Sequence, residues 1–600
     1  MTLSVYVDVS IDPTNVVHMP VSSIIALFVG KFCGAWSECF HPVNSFSPSE
    51  NTKTIQVDRE VLSGLSILKP HETPDNIRHC KFPAAVSSNG RVVHCGLCSV
   101  LRAIIKFRKD FTYLLGERKN CLKACAEVSA WTKFCEVEMP SAVEKFLSLS
   151  KVVGDAAKIL EISTLPDELL QLESHFYTPP VVSNVNKRKH EIMKRMRTMD
   201  KTSSENVNDK TKISQDNNCI ILEHVFVEGI DFRLTDLVLV PCVTLIFNAW
   251  TQWTDDYSLI QPHLKKVFSW YMHVLSQKMV KETLTFVGLA ALSFELKTTG
   301  GEHQLLDKRV PRIRDPDKKK AKVYQNAIDE VFTKVGEAGI RTKLKPHPVI
   351  DVRLPWNIFP GSVHPKDGDL PLSRLEKKCQ QLENLAAAVK LVSQETDTII
   401  DFCSGGGHLG LLLAFLLPSC SVVLVENKEE SLSRALARIE ALGLLNIVSF
   451  QSNLDYFDMP FDVGVCLHGC GVATDLVLQK CVARGAAFVV CPCCYGAIQD
   501  THTMKYPQSS AFKDTGITYE DFRILAHAAD QTQAEIAQSE QGKCAMEYVD
   551  TDRLHMAEEC GYRTMLCTLS PSTCSPKNNL LIGLPPGRSI SNDALSPNAQ

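Results

Sequence analysis

The stretch TIIDFCSGGGHLGLLLAF, residues 398–415, decides the fold of the second half of the chain. It begins as a short apolar strand ending near Asp401, continues through three glycines, Gly405 to Gly407, and becomes an apolar helix. A strand, a glycine-rich turn and a helix in this order let the backbone approach a ligand closely, and a helix N-terminus favours a negative group. The stretch therefore predicts a ligand site at the end of a parallel strand.

The residues around this stretch repeat the alternation of strand and helix. Short β-rich runs separated by helical stretches indicate a doubly wound parallel sheet of the Rossmann-like kind. A helix is predicted over Ser373–Val392, with Ser373 and Glu376 as a capping box. The predicted strands are residues 398–402, 421–425, 447–451, 461–467 and 487–491.

A carboxylate marks the end of the second of these strands. Glu426 follows the apolar run of VVLVE and can accept hydrogen bonds from two ribose hydroxyls. Together with the glycine-rich turn, it indicates a nucleoside cofactor.

The run from Asp401 to Gly407 resembles the D-x-G-x-G-x-G turn of class I methyltransferases, with Cys403 at the first glycine position. The resemblance implies S-adenosylmethionine as the cofactor. It also assigns the cofactor-binding residues: Asp401 near the amino-acid end, Gly405 and Gly407 along the backbone, Glu426 on the ribose and Asn453 beside the adenine.

Two later motifs, HGCGVATD at 468–475 and CPCCYG at 491–496, follow the fourth and fifth strands. Because chemistry in such sheets lies beyond the carboxyl ends of the strands, we expect both loops to border one cleft. Asp475 or His468 is the predicted catalytic base. The cysteines leave three alternatives open, namely structural thiols, zinc ligands or a nucleophile. The C-x-C-C run departs from the usual zinc spacing, so no metal is predicted; the cysteines concerned are Cys470, Cys491, Cys493 and Cys494.

This pair of motifs resembles a group of methyltransferase domains that includes the transfer-RNA ribose methyltransferases with H-x-C-G-x-A-T-D. The resemblance implies RNA as the leading substrate class. The pair is closest to a family that joins a glutathione transferase-like half to a class I methyltransferase domain. A catalytically silent binding or scaffold protein is the alternative, and glutathione conjugation is a third hypothesis.

The first half is similar to a glutathione transferase. Residues 223–243 resemble the start of a helix in the all-α C-terminal domain of transferases, with Gly229 and Asp236 in register and Arg233 in place of the capping Ser or Thr. In the degenerate thioredoxin-like region, Pro83 matches the usual cis-proline, but Gly96 supplies no hydroxyl for glutathione. No Tyr or Ser stands clearly at the start of the first helix as an activator of the glutathione thiol. We therefore expect a docking or dimerisation half without transferase activity.

Composition limits the remaining possibilities. The chain has 600 residues, a formal charge of -4 and 23 Cys, which fit an ordinary globular protein with reduced thiols and a cytoplasmic location. No membrane segment is predicted, and possible partners are RNA, a second copy or another protein. The predicted domains are a thioredoxin-like region at 1–115, a helical region at 116–300 with a mobile insertion at 184–218, a basic linker at 301–350 and a methyltransferase domain at 351–590.

Overall fold

The computed structural model divides the chain into two compact units. The first comprises Met1–Gly90 and His94–Asp315, and the second comprises Arg91–Val93 and Pro316–Gln600. The predicted regions 1–115 and 116–300 thus both belong to the first unit, apart from residues 91–93, and the insertion predicted at 184–218 lies outside the described residues. The structure describes residues 2–46, 54–87, 90–116, 119–123, 131–153, 165–180, 223–251, 257, 260–292, 325–349, 353–368, 371–501, 504–532 and 536–590.

The first unit begins with the arrangement predicted as thioredoxin-like. Strand β1 pairs in parallel with β3 and antiparallel with β5, and β6 follows β5 in the sheet. The Phe82–Pro83 bond before β5 is cis, as predicted. A small antiparallel extension is formed by β2 and β4 beside β1. The strands are β1 (Leu3–Ile11), β2 (Val17–Met19), β3 (Phe40–Asn44), β4 (Ile55–Val57), β5 (Ala84–Ser87) and β6 (Val92–Cys95).

The helices of the first unit share one large apolar core with these strands. Helix α5 is long and apolar enough to cross a membrane, but most of it is buried in this core, as in the core helix of a soluble domain. The helices of nine or more residues are α1 (Val21–Phe32), α2 (Leu97–Phe107), α3 (Met139–Val153), α4 (Asp167–His175), α5 (Leu234–Thr251), α6 (Lys265–Leu275) and α7 (Lys278–Phe286).

The start of α5 shows why Arg233 is tolerated at the capping position. Asp236 is buried, and its carboxylate accepts hydrogen bonds from the backbone N–H groups of Val227 and Arg233 and from Nε1 of Trp270. Asp236 thus provides the half of a capping box in which a side chain of the first turn accepts from the N–H of the residue before the helix. The Asp236 N–H, which a Ser or Thr oxygen would accept, donates to the Arg233 carbonyl instead.

The second unit contains the predicted doubly wound sheet, in the order β10-β9-β8-β11-β12-β14-β13-β7. The five predicted strands, β8 to β12, are present and pair in parallel, while β14 inserts antiparallel between β12 and β13. The strands are β7 (Leu344–Lys345), β8 (Thr398–Phe402), β9 (Ser421–Glu426), β10 (Ile447–Gln451), β11 (Val463–Cys470), β12 (Ala487–Cys493), β13 (Arg563–Thr568) and β14 (Asn579–Leu584).

Two local expectations differ from the structure of this unit. The predicted linker at 301–350 contains α8, whose Ile328, Val331 and Val335 are buried in an apolar cluster with the helices after β12. Helix α9 begins after Pro371 without a side-chain cap, so Ser373 lies inside the helix. The helices of nine or more residues are α8 (Gln325–Glu337), α9 (Leu372–Val392), α10 (His408–Leu416), α11 (Glu429–Leu442), α12 (Val472–Arg484), α13 (Tyr519–Ala528) and α14 (Ile536–Glu559).

Candidate active site

The glycine-rich turn connects β8 to α10 with a left-handed backbone at several positions. Cys403, Gly405 and Gly407 have φ values of 55°, 56° and 71°. At Gly407 a side chain would also collide with the neighbouring helix, because an added Cβ would lie 2.9 Å from Cβ of Ala435. Gly407 is therefore required both by its backbone conformation and by close packing.

Asp401 connects strand β8 to the helix after the glycine-rich turn through a hydrogen bond. It lies in β8, is 1% exposed, and its Oδ2 accepts a hydrogen bond of 2.8 Å from the Gly410 N–H. Burial raises the pKa of Asp401 to about 7, against the opposing effects of the Gly410 bond and the Lys378 charge. Asp401 therefore shapes the turn, and its predicted contact with the amino-acid end of a cofactor remains a prediction.

Glu426 lies directly against the turn. Its Oε2 accepts a hydrogen bond of 2.7 Å from the Gly405 N–H, and its Oε1 accepts one of 2.7 Å from the Lys428 N–H. At the end of the neighbouring strand β10, Oδ1 of Asn453 accepts a 3.1 Å hydrogen bond from Asn427. Four of the predicted cofactor residues, including Gly407, therefore lie along one edge of the sheet.

Arg438, on α11, is a residue of this site that sequence reasoning missed. Its NH1 donates to the Gly406 carbonyl at 3.1 Å and lies 3.2 Å from Nδ1 of His408. Burial, and then the Arg438 charge, lower the pKa of His408 to about 3. An Arg on an amphipathic helix is usually interpreted as a surface residue. The signal that could have identified it is its position three residues after Ala435, which places it on the buried face of α11.

His468 interrupts β11 with a φ of 71°, at a register shift between Leu467 and Gly469. Its Nε2 lies 3.0 Å from Oε1 of Gln381, whose own Nε2 donates to the Cys574 carbonyl. Since Gln381 Oε1 can only accept, Nε2 of His468 carries the proton and Nδ1 carries the lone pair. Burial, helped by the Lys378 charge, lowers the pKa of His468 to about 4.

Lys378 on α9 is a second residue that sequence reasoning missed, because the helix looked like ordinary packing against the sheet. Burial lowers the pKa of Lys378, while the charges of Asp401 and Cys491 oppose this. The structure thus places an amine near the predicted site.

Asp475 does not have the surroundings expected of a general base. Both its oxygens accept from Arg553, at 2.9 Å from Nε and 2.8 Å from NH2, and Oδ1 also accepts from Gln508. The Arg553 and Asp475 side chains are 1% and 0% exposed, and Arg553 also pairs with Asp550. A base must reach the proton it removes. Asp475 is therefore held in a buried ion pair with Arg553, and its role as the catalytic base remains a prediction.

Three of the four cysteines in the two motifs lie close together in the structure, and the fourth lies apart from them. Sγ atoms of Cys470, Cys493 and Cys494 lie within 4.8 Å of one another, whereas Cys491 is buried and its thiol faces the Lys577 carbonyl. A hydrogen bond from the Cys493 thiol lowers the pKa of Cys470 to about 6, while burial acts in the opposite direction. The structure therefore brings together three of the four cysteines.

The first unit contains a cavity of about 430 Å³ beside the cis-proline turn, lined in part by Asp8, Ser22, Arg78 and Lys81. Ser22 and Ser23 lie in the first turn of α1, which residues 21–29 did not reveal because they fit a helix or a buried strand. That neither serine activates a glutathione thiol remains a prediction.

Gly96, which precedes α2, has a φ of 90° and donates its backbone N–H to the carbonyl of the cis-proline Pro83 at 3.2 Å. Cys95 and Cys98 have the Cys-x-x-Cys spacing of a redox pair, but their thiols do not face each other. The Cys95 thiol faces Cys80 at 2.9 Å, and the Cys98 thiol faces the Thr132 carbonyl.

The strand order of the second unit, with β14 antiparallel between β12 and β13, and its glycine-rich turn define a class I methyltransferase domain. A family model described as a methyltransferase domain matches residues 377–501. The chain belongs to the family of glutathione S-transferase C-terminal domain-containing proteins. The protein of that name from Homo sapiens is 34% identical over 94% of this chain and 96% of its own length, and the Drosophila melanogaster homolog is 32% identical over 96% and 98%.

Shorter matches involve other methyltransferases. Ribosomal RNA small subunit methyltransferase G of Chlorobaculum tepidum is 31% identical over 14% of this chain and 35% of its own length. Among solved structures, TrmN from Thermus thermophilus is 18% identical, with a TM-score of 0.18 over 20% of this chain and 41% of that one. A structural likeness this low bears on neither substrate nor mechanism.

Proposed function

We propose that the second unit is an S-adenosylmethionine-dependent methyltransferase whose acceptor is RNA. The observation that carries the cofactor assignment is the buried Glu426 carboxylate held against the Gly405 N–H. A carboxylate at this strand end, beside a glycine-rich turn, is the arrangement that binds the ribose of a nucleoside cofactor. Gly405 and Gly407 would line the cofactor, and Asn453 with Asn427 would border its base.

The turn has an unsatisfied group that a ligand of this kind fits. Among the described residues, the hydroxyl of Ser404 is buried without a hydrogen-bond partner. A Cβ added at Gly405 would meet nothing within 4 Å, so the space over the turn is open. Buried polar groups are normally hydrogen-bonded, and a polar ligand in this space would supply the partner.

S-adenosylmethionine supplies an activated methyl group when bound. In the proposed reaction the protein holds the acceptor in line with that group, and Nδ1 of His468 accepts a hydrogen bond from the acceptor. The role of Asp475 is to hold α12 and α14 together through Arg553. Positioning of reactants is itself a major source of rate enhancement.

Binding of S-adenosylmethionine tests the cofactor assignment. At 100 times its Kd, the cofactor should stabilise the second unit by about 2.7 kcal/mol, which is visible as a rise in melting temperature. Glu426→Ala should abolish the rise, while Glu440→Ala, an exposed residue of α11, should leave it intact. The absence of calorimetric heat with wild-type protein at millimolar cofactor would refute the assignment.

RNA as the acceptor rests on the HGCGVATD motif and on the short match to the ribosomal RNA methyltransferase. Incubation with methyl-labelled cofactor and fractionated cell RNA, protein and metabolites should place label in RNA, and His468→Ala should reduce it by at least about tenfold. Label only in protein or metabolites would overturn the RNA assignment. Cofactor binding without any transfer would favour the non-catalytic scaffold.

A further inference from the structure

Three thiols meet beyond the ends of β11 and β12. The Sγ atoms of Cys470 and Cys493 are 3.4 Å apart, and both lie within 4.8 Å of Sγ of Cys494. Cys470 and Cys494 are exposed, and Cys493 is partly buried. We refer to these three residues as the thiol cluster.

The sheet and the turn after it hold the cluster in place. The β11–β12 register sets Cys470 opposite Cys493, after the shift between Leu467 and Gly469. Cys494 then adopts a left-handed backbone with φ of 50°, which is uncommon for a residue other than glycine.

The turn that follows Cys494 is fixed from a third element. Asp530, just beyond α13, accepts hydrogen bonds from the backbone N–H groups of Tyr495 and Gly496, at 3.0 and 2.9 Å. Three separate elements therefore converge to set the position of the cluster.

The surroundings of the cluster offset negative charge. Lys577 Nζ lies 3.1 Å from Asp530 Oδ1 and interacts electrostatically with Cys493 and Cys494. Lys428 exerts the same kind of influence on Cys470. The Asp530 carboxylate adds a negative charge to these surroundings. Three thiolates, one divalent cation and Asp530 would together carry a net charge of about -2, which the two neighbouring ammonium groups offset.

We propose that Cys470, Cys493 and Cys494 bind one Zn²⁺ ion as a three-thiolate site with an open fourth position. Binding forms three Zn–S bonds and releases the three thiol protons to solvent. Tetrahedral zinc with Zn–S bonds of about 2.3 Å sets sulfur atoms roughly 3.8 Å apart. That separation falls within the span of the cluster, so small side-chain rotations suffice.

The fourth position is open because no protein group is placed to fill it. Within the described part of the chain, no further Cys, His, Asp or Glu ligand atom joins the cluster. Asp530 is already engaged by two backbone N–H groups and Lys577. Sites with three protein ligands and an open position are typical of catalytic rather than structural zinc, and water or a thiol-bearing ligand fits this position.

A disulfide is the competing account of the closest two thiols. It would join Cys470 to Cys493 and leave Cys494 without a role, whereas one metal ion engages all three. This inference does not depend on S-adenosylmethionine binding or on methyl transfer, and its test reads metal directly.

The test uses tag-free full-length protein, stripped of metal and kept reduced, then titrated with Zn²⁺ and desalted before elemental analysis. We expect about one retained Zn²⁺ per chain in the wild type. Cys470→Ser and Cys493→Ser should each weaken Zn²⁺ binding at least about tenfold. Cys560→Ser, an exposed cysteine outside the cluster, is the control and should bind as the wild type does.

Substitution with Co²⁺ provides a second readout, because thiolate-bound tetrahedral cobalt has strong visible absorption. The spectrum should appear in the wild type and in Cys560→Ser and disappear in Cys494→Ser, with circular dichroism showing that each variant is folded. Equal metal retention in the wild type and all three cluster variants would overturn the proposal. So would a metal-free wild type in which peptide mapping finds a Cys470–Cys493 disulfide.

Discussion

Asp475 illustrates how the partner of a residue decides its role. Replacing it with Asn leaves the Arg553 charge buried with one carboxylate fewer, and breaking a buried pair in this way costs about 3–5 kcal/mol. We expect Asp475→Asn to lower the free energy of unfolding of the second unit by that amount, as measured by denaturant titration.

Asp455→Asn, at an exposed position, is the control and should change the stability by less than about 0.5 kcal/mol. If Asp475→Asn instead keeps wild-type stability and loses methyl transfer selectively, the residue is catalytic after all.

The sequence could not distinguish these roles of Asp475. Its position at the start of α12 fits a cap, a base or an ion pair equally well, and Arg553 lies 78 residues further along the chain. By contrast, the position of Glu426 at the end of a strand could be predicted because the apolar run that forms β9 immediately precedes it. Local motifs indicate the proposed cofactor site, whereas long-range pairs that decide the chemistry of a buried acid leave no local signal in the sequence.

His408 predicts a specific pH dependence. Its pKa is lowered from 6.5 to about 3 in the folded chain, so between these values only the unfolded chain binds the proton. Stability is therefore lost as the pH falls below about 6.5, by at most about 1.4 kcal/mol per pH unit.

His408→Gln should remove this contribution. When the pH falls from 7.5 to 5.5, the wild type should therefore lose more unfolding free energy than the variant does. Denaturant titrations at each pH measure this difference. A constant difference across that range would show that His408 titrates normally in the folded protein.

At the scale of elements, the turn before α10 depends on α11. Arg438→Met removes the bond to the Gly406 carbonyl while keeping most of the apolar stem. We expect the affinity for S-adenosylmethionine to fall at least about tenfold, because a positioned backbone loop loses its support. Calorimetric titration measures this directly.

Glu440→Ala, at an exposed position of α11, is the control and should bind the cofactor normally. Unchanged affinity in Arg438→Met would mean that the glycines alone hold the turn.

The elements themselves were predictable to differing degrees. Strands β8 and β10 agree with the sequence prediction at both ends, since short apolar runs bounded by turn residues define them. The antiparallel pair β13 and β14 was not predicted, because nothing local shows that the chain returns to the sheet. Helix α8 was included in the predicted linker because basic residues precede it, although its apolar positions repeat at helical intervals.

At the scale of the whole molecule, each unit has its own apolar core, and only the second contains the proposed cofactor site. Five of the six tryptophans, all but Trp356, belong to the first unit. S-adenosylmethionine should therefore raise the unfolding transition of the second unit in scanning calorimetry and leave the transition in tryptophan fluorescence nearly unchanged.

Adenosine at the same concentration is a useful control, because it lacks the amino-acid end and should shift the calorimetric transition less. An equal shift in both signals on adding S-adenosylmethionine would show that the two units unfold as one.

The ladder between β11 and β12 sets Cys470 against Cys493, and the chain between them crosses over through α12. The number of residues between these two cysteines is consequently set by the length of the crossover and not by the geometry of the proposed zinc site. Residues inserted after α12 would lengthen the interval without displacing either sulfur. Related thiol clusters with quite different numbers of residues between their cysteines are thus compatible with this architecture. Genome scans that require a fixed spacing between the cysteines would overlook them. Neighbouring strand ends are the feature for which such scans should look.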